Sequence, residues 1–185
     1  MLEKQALRRQ VKTLIKALST QERLQASRAV MARLEKEEHV LQARTIVLFS
    51  SLPDEISTRE MLERYAASKT VLLPVVNGDD LLLCPFQGFS QMKKGAYSIS
   101  EPLDSSHPLT DLSSIDLVIV PGVAFDAQGH RLGRGKGYYD RLLSRTDLHR
   151  AYKIGICFAC QMVEAIPTEK HDMMMDKVIS STPIY

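Results

Sequence analysis

The stretch 116–122 reads DLVIVPG, a short apolar run rich in β-branched residues that a Pro-Gly pair ends. Such a run is typical of a buried strand. Five further runs predict strands at Thr45–Phe49, Thr70–Val76, Leu81–Phe86, Lys153–Phe158 and Val178–Ser181. Because most of these runs do not alternate between apolar and polar residues, the strands are expected to be buried on both faces of a sheet.

Segments with helical spacing separate several of these strands. Helices are predicted at residues 2–18, from near Thr20 onward, at Thr58–Ala67 and at Gly137–Ser144. Ser19 and Glu22 form a capping-box signature for the second helix. Strands that alternate with helices predict an α/β fold, a three-layer α/β/α arrangement with a mainly parallel sheet. No linker or repeat stands out, so one domain over residues 1–185 is expected.

Composition limits the function classes that need to be considered. Apolar residues make up 44% and charged residues 25% of the 185 residues, and the net charge of +2 is too small to indicate a nucleic-acid partner. No secretory leader and no apolar run of roughly 20 residues is present, so no membrane partner is expected. Three cysteines do not make a disulfide framework, and we expect a monomer in the cytoplasm.

Downstream of the central strand lies a basic glycine loop. Gly133, Gly135 and Gly137 alternate with Arg134 and Lys136, and Arg131 precedes them. Glycine allows backbone amides to approach a ligand, and the cations supply charge for a phosphate. The loop fits neither a P-loop, which needs Ser or Thr after Gly-Lys, nor a dinucleotide fingerprint. Taken alone, the pattern leaves a phosphate site and a solvated basic loop equally open.

The whole string is more specific than its glycines. PGVAFD at 121–126 and RLGRGKGYYD at 131–140 closely resemble the signature of the 5-formyltetrahydrofolate cyclo-ligases. The resemblance implies an enzyme that uses ATP to cyclise 5-formyltetrahydrofolate to 5,10-methenyltetrahydrofolate, with release of ADP and phosphate through phosphorylation of the formyl oxygen. It also implies Mg2+ as cofactor and small-molecule partners only, ATP and the folate.

The same resemblance implies roles for individual residues. Those expected to bind ATP are Lys4, Arg8, Arg131, Gly133, Arg134, Gly135, Lys136, Gly137, Tyr138 and Tyr139. The folate is expected to contact Ser50, Glu55, Arg134 and Tyr138. Arg134 and Lys136 are the expected catalytic residues, and Asp140 and Asp176 the expected magnesium ligands. Ser57 departs slightly from the family, which usually has an acidic residue at that position.

Two of these assignments depend on the resemblance most strongly. Lys4 and Arg8 are four residues apart, which places them on one face of the first helix, away from the stripe Leu7/Val11/Leu14. Without the resemblance, a solvated charged face would be the preferred interpretation. The segment Gly95–Pro102 resembles the family's Gly-x-x-x-x-Glu-Pro segment, for which a structural role is expected.

Two other functions remain as alternatives. A phosphosugar isomerase on a similar α/β scaffold would bind a sugar phosphate and need no ATP. A nucleic-acid-binding module could use Arg131, Arg134 and Lys136, but it would have only Tyr138 and Tyr139 for base stacking. The C-x-x-C pair, Cys157 and Cys160, has no second pair to complete a structural zinc site, and Cys157 is expected in the core.

Overall fold

A computed structural model describes residues 2–95 and 99–181 of the protein. The helices are α1 (Leu2–Ala17), α2 (Thr20–Leu34), α3 (Glu38–Gln42), α4 (Arg59–Ala66) and α5 (Tyr138–Leu143). The strands are β1 (Thr45–Val47), β2 (Thr70–Asn77), β3 (Asp80–Pro85), β4 (Met92–Lys94), β5 (Ser100–Pro102), β6 (Leu117–Val120), β7 (Ala124–Phe125), β8 (Arg131–Leu132), β9 (Tyr152–Cys157) and β10 (Lys177–Ser180).

Within the described residues, six strands form the central sheet in the order β10-β9-β6-β1-β2-β3. All neighbours are parallel except β2 and β3, which form an antiparallel hairpin. All four residues of β6, at the middle of the sheet, are buried. The predicted α/β fold with a mainly parallel sheet is therefore confirmed, and the all-apolar run at 117–120 is its central strand.

Alternate residues of the strands divide the core into two layers. Ile46 and Ile119 pack in one apolar cluster together with residues of α1, α2 and α4. Val47 and Val118 point to the opposite face, where the cluster includes Leu142 of α5. Helices therefore cover both faces, as the three-layer prediction requires.

The first helix faces the core with most of the predicted stripe, because Val11 and Ile15 are buried and Leu7 packs against them, but not with Leu14. Leu14 is 45% exposed, whereas the buried residues of α1 are Lys4, Val11 and Ile15. Arg8 lies four residues from Lys4 on this same inward side. The expectation that Lys4 and Arg8 point away from the apolar stripe is therefore wrong, because the helix packs against a polar loop at its N-terminal half.

Short elements escaped the sequence prediction. α3 follows α2 in a segment for which no separate helix was predicted, and the ribbons β4–β5 and β7–β8 lie in segments for which no strand was predicted. Strands of two or three residues are too short to show a periodic pattern. By contrast, the predicted capping box is confirmed: the Ser19 hydroxyl accepts from Glu22 N, and Glu22 accepts from Ser19 N.

The chain order places a crevice at the middle of the sheet. From β1 the chain proceeds to β2 on one side, and from β6 it proceeds to β9 on the other. Between the carboxyl ends of such strands the connections diverge, and ligands of open α/β sheets bind there. Across residues 2–95 and 99–181, no helix has the length and apolar character that crossing a membrane requires.

Candidate active site

A cleft of about 390 Å³ opens at the carboxyl ends of β1 and β6. Its apolar lining residues are Phe49, Leu52, Pro74, Val76, Leu81, Ile99 and Pro121. Its polar lining includes ten residues predicted from the sequence, Ser50, Glu55, Arg131, Gly133, Arg134, Lys136, Gly137, Tyr138, Tyr139 and Asp140. Four other predicted residues, Lys4, Arg8, Gly135 and Asp176, lie outside this lining. The volume suits a small organic ligand.

The ribbon β7–β8 presents the start of the glycine loop, and Asp126 fixes its turn. Asp126 is 1% exposed. Its Oδ1 accepts hydrogen bonds from Gln128 N and His130 N, while Oδ2 accepts from Ile166 N and contacts His130 Nδ1 at 2.8 Å. Burial acts to raise the pKa of Asp126, but the hydrogen bonds outweigh it and the pKa lies below its usual value.

Arg131 connects the ribbon to α5 and to the C-terminal loop. Its Nη2 donates to Asp140 Oδ1 at 2.8 Å, and Nη1 donates to Pro121 O at 3.3 Å. Asp140 Oδ1 also accepts from Met173 N. Among the described residues, the buried Arg131 Nε and the buried Tyr139 hydroxyl have no hydrogen-bond partner. Because buried polar groups are nearly always satisfied, this corner of the cleft has unused donors for a ligand.

Arg8 from α1 lies against the glycine loop. Its Nε donates to Gly133 O at 2.8 Å, and its guanidinium carbon is 3.6 Å from where a Cβ on Gly135 would stand. Gly135 has φ +106°, a left-handed conformation that strongly favours glycine. The structure therefore brings together Arg8 and the loop, which are 125 residues apart in sequence.

Lys4 anchors the same helix to the C-terminal loop. Its Nζ lies 2.6 Å from Asp172 Oδ2 and 3.3 Å from Glu169 Oε2. Burial opposes the charged form of Lys4, but the two carboxylates raise its pKa above the usual value. Burial likewise acts to raise the pKa of Asp172, yet hydrogen bonds from Lys4 and from Glu169 N leave it below its usual value.

Acid is expected to weaken this anchor, and Lys4→Met should remove part of the acid sensitivity. Because the folded-state pKa of Asp172 lies below 3.8, its ion pair contributes stability above that pH and loses it as the pH falls through the lower value. Without Lys4, the cation that lowers this pKa is gone. Urea unfolding measures the free energy of unfolding at about pH 5 and at about pH 3. The decrease between these two pH values should be larger in the wild type than in Lys4→Met. An equal loss in both proteins would contradict this role of the pair.

Arg134 is held by two carboxylates at the cleft wall. Its Nη2 lies 2.7 Å from Asp54 Oδ1 and 2.9 Å from Glu55 Oε1. Burial raises the pKa of Glu55, and the hydrogen bond from Leu52 N and the charge of Arg134 only partly offset this effect. Asp54 has a lowered pKa because the bonds from Arg134 outweigh its burial. Asp54 was not among the site residues predicted from the sequence, although it directly precedes Glu55.

Lys136 and Tyr138 complete the loop side of the cleft. In the part of the chain that the structure describes, the Lys136 ammonium has no ion pair, although the residue lines the cleft. The Tyr138 hydroxyl donates to Gly78 O at 3.3 Å, and Arg141 lies over its ring. The loop therefore contacts the tip of the β2–β3 hairpin across the mouth of the cleft.

The two predicted magnesium ligands do not meet. Asp176 precedes β10 and accepts from Lys153 N at 2.7 Å, at the amino ends of β9 and β10. That edge is opposite the carboxyl ends where Asp140 lines the cleft. In the C-terminal loop, Asp140 Oδ1 accepts from the amide of Met173, the residue after Asp172, whose own carboxylate binds Lys4. Asp176 was assigned by family resemblance, and spacing in the sequence alone does not show that this residue lies at the opposite edge of the sheet.

Comparisons with known proteins support one family. The sequence model of the 5-formyltetrahydrofolate cyclo-ligase family matches residues 1–181. A 5-formyltetrahydrofolate cyclo-ligase of Escherichia coli (strain K12) is 29% identical over 174 residues, covering 92% of this chain and 96% of that protein. The enzyme of the same name from Mus musculus is 30% identical over 187 residues, covering 95% and 92%.

Solved structures agree with the sequence comparisons. The structure of Aquifex aeolicus 5,10-methenyltetrahydrofolate synthetase superposes with a TM-score of 0.86 at 30% identity, covering 99% of this chain and 91% of that chain. A 5,10-methenyltetrahydrofolate synthetase from Mycoplasma pneumoniae gives a TM-score of 0.74 at 24% identity, covering 95% and 97%. At that identity the second likeness establishes the shared fold alone.

Proposed function

Because this chain belongs to the 5-formyltetrahydrofolate cyclo-ligase family, we propose that its cleft binds 5-formyltetrahydrofolate beside ATP and closes the formyl group into 5,10-methenyltetrahydrofolate. The chain is an enzyme of folate one-carbon metabolism, a ligase that uses ATP. One observation carries the assignment of the site: the apolar cleft has the cationic glycine loop as one wall. No observation favours the phosphosugar isomerase.

The apolar wall provides the folate side of the site. Pro74, Val76 and Leu81 offer a surface on which a flat bicyclic ring buries its faces. Ser50, Glu55 and Tyr138 stand around the same cleft and provide polar contacts. The reduced pterin is therefore proposed to lie between the β2–β3 hairpin and the glycine loop.

The loop and α1 provide the nucleotide side. Arg8 and Lys136 present cations near backbone that Gly135 and Gly137 hold in left-handed conformations. Arginine binds phosphate oxygens in a bidentate manner, and lysine acts as a point charge. Lys4 contributes by fixing α1 to the C-terminal loop, since its ammonium is occupied by Asp172 and Glu169.

The chemistry follows from the electronic state of the substrate. The N5-formyl group is an amide, and its carbon is a poor electrophile. Transfer of the γ-phosphoryl group from ATP to the formyl oxygen makes that oxygen a leaving group. N10 then attacks the carbon and gives up its proton, the five-membered ring closes, and the C–O bond breaks as hydrogen phosphate departs. Such a transfer depends on positioning and on neutralising charge, which Arg134 and Lys136 provide at the cleft wall. ADP and phosphate are the remaining products.

Arg134 serves both substrates in this scheme. In the described structure it is bound to Asp54, whose side chain is partly exposed, and to the more buried Glu55. An incoming phosphoryl oxygen can replace Asp54 while Glu55 continues to hold the guanidinium. The arginine would then lie between the folate-side carboxylate and the transferring phosphate.

Magnesium is the cofactor expected with ATP, and Asp140 has a carboxylate oxygen that could bind it. Asp140 Oδ1 is occupied by Arg131 and Met173 N, while Oδ2 has no hydrogen bond among the described residues. Mg2+ takes one or two carboxylates together with phosphate oxygens and water. Asp140 would hold the ion, and we propose Asp172 rather than Asp176 as the second carboxylate near it. The ion would screen the negative charge of the ATP phosphates.

The Arg8→Ala variant should bind ATP about tenfold more weakly, because a charge-assisted bond to phosphate is worth about 1.5 to 3 kcal/mol and part of the loss is recovered by solvent. Its dissociation constant for 5-formyltetrahydrofolate should stay within about twofold. Arg9→Ala is the matched control, since Arg9 is the next residue of α1 and is exposed. Equilibrium dialysis with each ligand measures both constants. Unchanged ATP affinity in Arg8→Ala would remove α1 from the nucleotide site.

The reaction itself is tested by mixing the protein with magnesium, ATP and 5-formyltetrahydrofolate and following the near-ultraviolet absorbance of the methenyl product. Product should form only when ATP is present, with one ADP released for each methenyl group. A folded protein that forms no product would refute the proposed function. Sugar phosphates supplied without ATP should remain unchanged, whereas their isomerisation would favour the alternative.

We further propose that residues 1–185 act as one domain and as a monomer in the cytoplasm. The thiols fit a reducing compartment: Cys84, Cys157 and Cys160 are free. Burial raises the pKa of Cys157 to about 12, which keeps this thiol protonated and unreactive. Light scattering of the purified protein should give the mass of a single chain, and a dimer mass would correct the assembly state.

A further inference from the structure

Glu101 is a buried acidic residue in the wall of the cleft. It belongs to β5, which pairs with β4 and packs beside β2. Only 6% of the residue is exposed, and it lines the cleft with the apolar side chains of Val76, Leu81 and Ile99. Glutamate is almost never buried to this extent unless it is paired.

Among the described residues, few groups are placed to pair with its carboxylate. The one hydrogen bond found for it within residues 2–95 and 99–181 comes from Val76 N to Oε1 at 3.5 Å, the outer limit for such a bond. No Lys, Arg or His of those residues lies within 4.0 Å as an ion-pair partner. Lys93 stands opposite in the β4–β5 register, but its ammonium donates to Leu103 O at 3.1 Å.

The surrounding chain is shaped around this carboxylate. A Cβ on Gly95 would lie 2.0 Å from Glu101 Oε2. A glycine therefore leaves the space that the carboxylate fills at the edge of the cleft. A carboxylate with a purely structural role would be expected to have strong donors, because leaving a buried charged group unpaired is costly.

The other glutamate of the cleft, Glu55, already accepts hydrogen bonds with both of its carboxylate oxygens. Glu55 Oε1 accepts two bonds from Arg134, and Oε2 accepts from Leu52 N. Glu101 therefore has the larger unused acceptor capacity along the apolar wall. We infer that Glu101 recognises the pterin ring of the folate, an inference that rests on the proposed function. Its two carboxylate oxygens accept hydrogen bonds from N3–H and from the 2-amino group of the ring. These two donors are adjacent on the ring and match the spacing of a carboxylate.

The test separates binding from folding in the intact chain. Glu101→Gln keeps the shape of the side chain but replaces one acceptor with a donor that faces a donor of the ligand. Its dissociation constant for 5-formyltetrahydrofolate, measured by calorimetry without ATP, should rise about 10- to 100-fold. Its ATP affinity should stay within about twofold, and its unfolding temperature should be unchanged or higher because an unpaired buried charge has been removed.

Two controls keep the result specific. Glu63→Gln removes the same charge from an exposed residue of α4 and should leave both affinities unchanged. Glu101→Leu should lose folate affinity at least as strongly as Glu101→Gln while remaining folded. The inference is overturned if Glu101→Gln binds the folate within about twofold of the wild type, or if its unfolding temperature and both affinities fall together. A wild-type protein that does not bind the folate would instead refute the proposed function and this inference with it.

Discussion

A Lys136→Ala variant loses about 100- to 1,000-fold in kcat and keeps the unfolding free energy of the wild type. Its ammonium lines the cleft without an ion pair among the described residues, so folding does not depend on it. A positioned charge at a transferring group lowers the barrier by about 3 to 4 kcal/mol, by analogy with oxyanion donors. Initial rates of methenyl formation at saturating substrates measure the loss.

The matched control for this variant is Lys16→Ala. Lys16 is an exposed lysine in the last turn of α1 and lies outside the cleft lining. It should retain the wild-type rate, which shows that removing one positive charge from the surface is not sufficient. A Lys136→Ala enzyme with full activity would remove this lysine from the mechanism and leave Arg134 as the loop's catalytic cation.

Asp126→Ala is expected to lower the free energy of unfolding by about 3–5 kcal/mol, the largest stability effect in the site region. The substitution leaves three amides, those of Gln128, His130 and Ile166, without their acceptor. It also removes the partner of His130 Nδ1. Because these bonds fix the turn of the β7–β8 ribbon, the positions of Arg131 and Gly133 should be affected as well. Urea unfolding at neutral pH gives the free energy.

Asp104→Ala is the control for this effect. Asp104 also accepts from a nearby amide, that of Ser106, but its side chain is 61% exposed. Water can replace its bonds, and the change in unfolding free energy should be within about 0.5 kcal/mol. If both variants were equally mild, burial of the Asp126 carboxylate would not be what stabilises the turn.

The sequence was sufficient to predict the central strand of the sheet and the position of the glycine loop at the cleft. A run such as 117–120 is apolar at every position, so its burial does not depend on a choice of face. The string RLGRGKGYYD carries the family likeness within a contiguous segment, and its members at 131, 133, 134 and 136–140 line one cleft. Residues that are close in sequence and held by one loop are the easiest to place together.

Tertiary partners decided the features that the sequence left open. Helix α1 has apolar residues at Leu7, Val11, Leu14 and Ile15, which allow more than one buried face. The acidic side chains of Glu169 and Asp172 select the face with Lys4, and no local pattern shows this. The same loop brings the amide of Met173 to Asp140, whereas Asp176 lies at the opposite edge of the sheet.

Glu101 illustrates a third limit of sequence reasoning. Its Glu-Pro dipeptide at 101–102 resembles the family's segment, but a resemblance does not reveal whether a carboxylate is paired. Residues 96–98 of the expected Gly95–Pro102 segment lie outside the described residues. Burial, the long bond from Val76 N and the space left by Gly95 became visible only in three dimensions.

The most direct test follows the formyl oxygen itself. 5-Formyltetrahydrofolate labelled with ¹⁸O in the formyl group is converted with unlabelled ATP, and the released phosphate is analysed by mass spectrometry. If the cleft joins the γ-phosphoryl group to the formyl oxygen, each methenyl group formed leaves one ¹⁸O in phosphate. Methenyl product accompanied by unlabelled phosphate would mean that the oxygen leaves by another route and that the two groups do not react in this cleft.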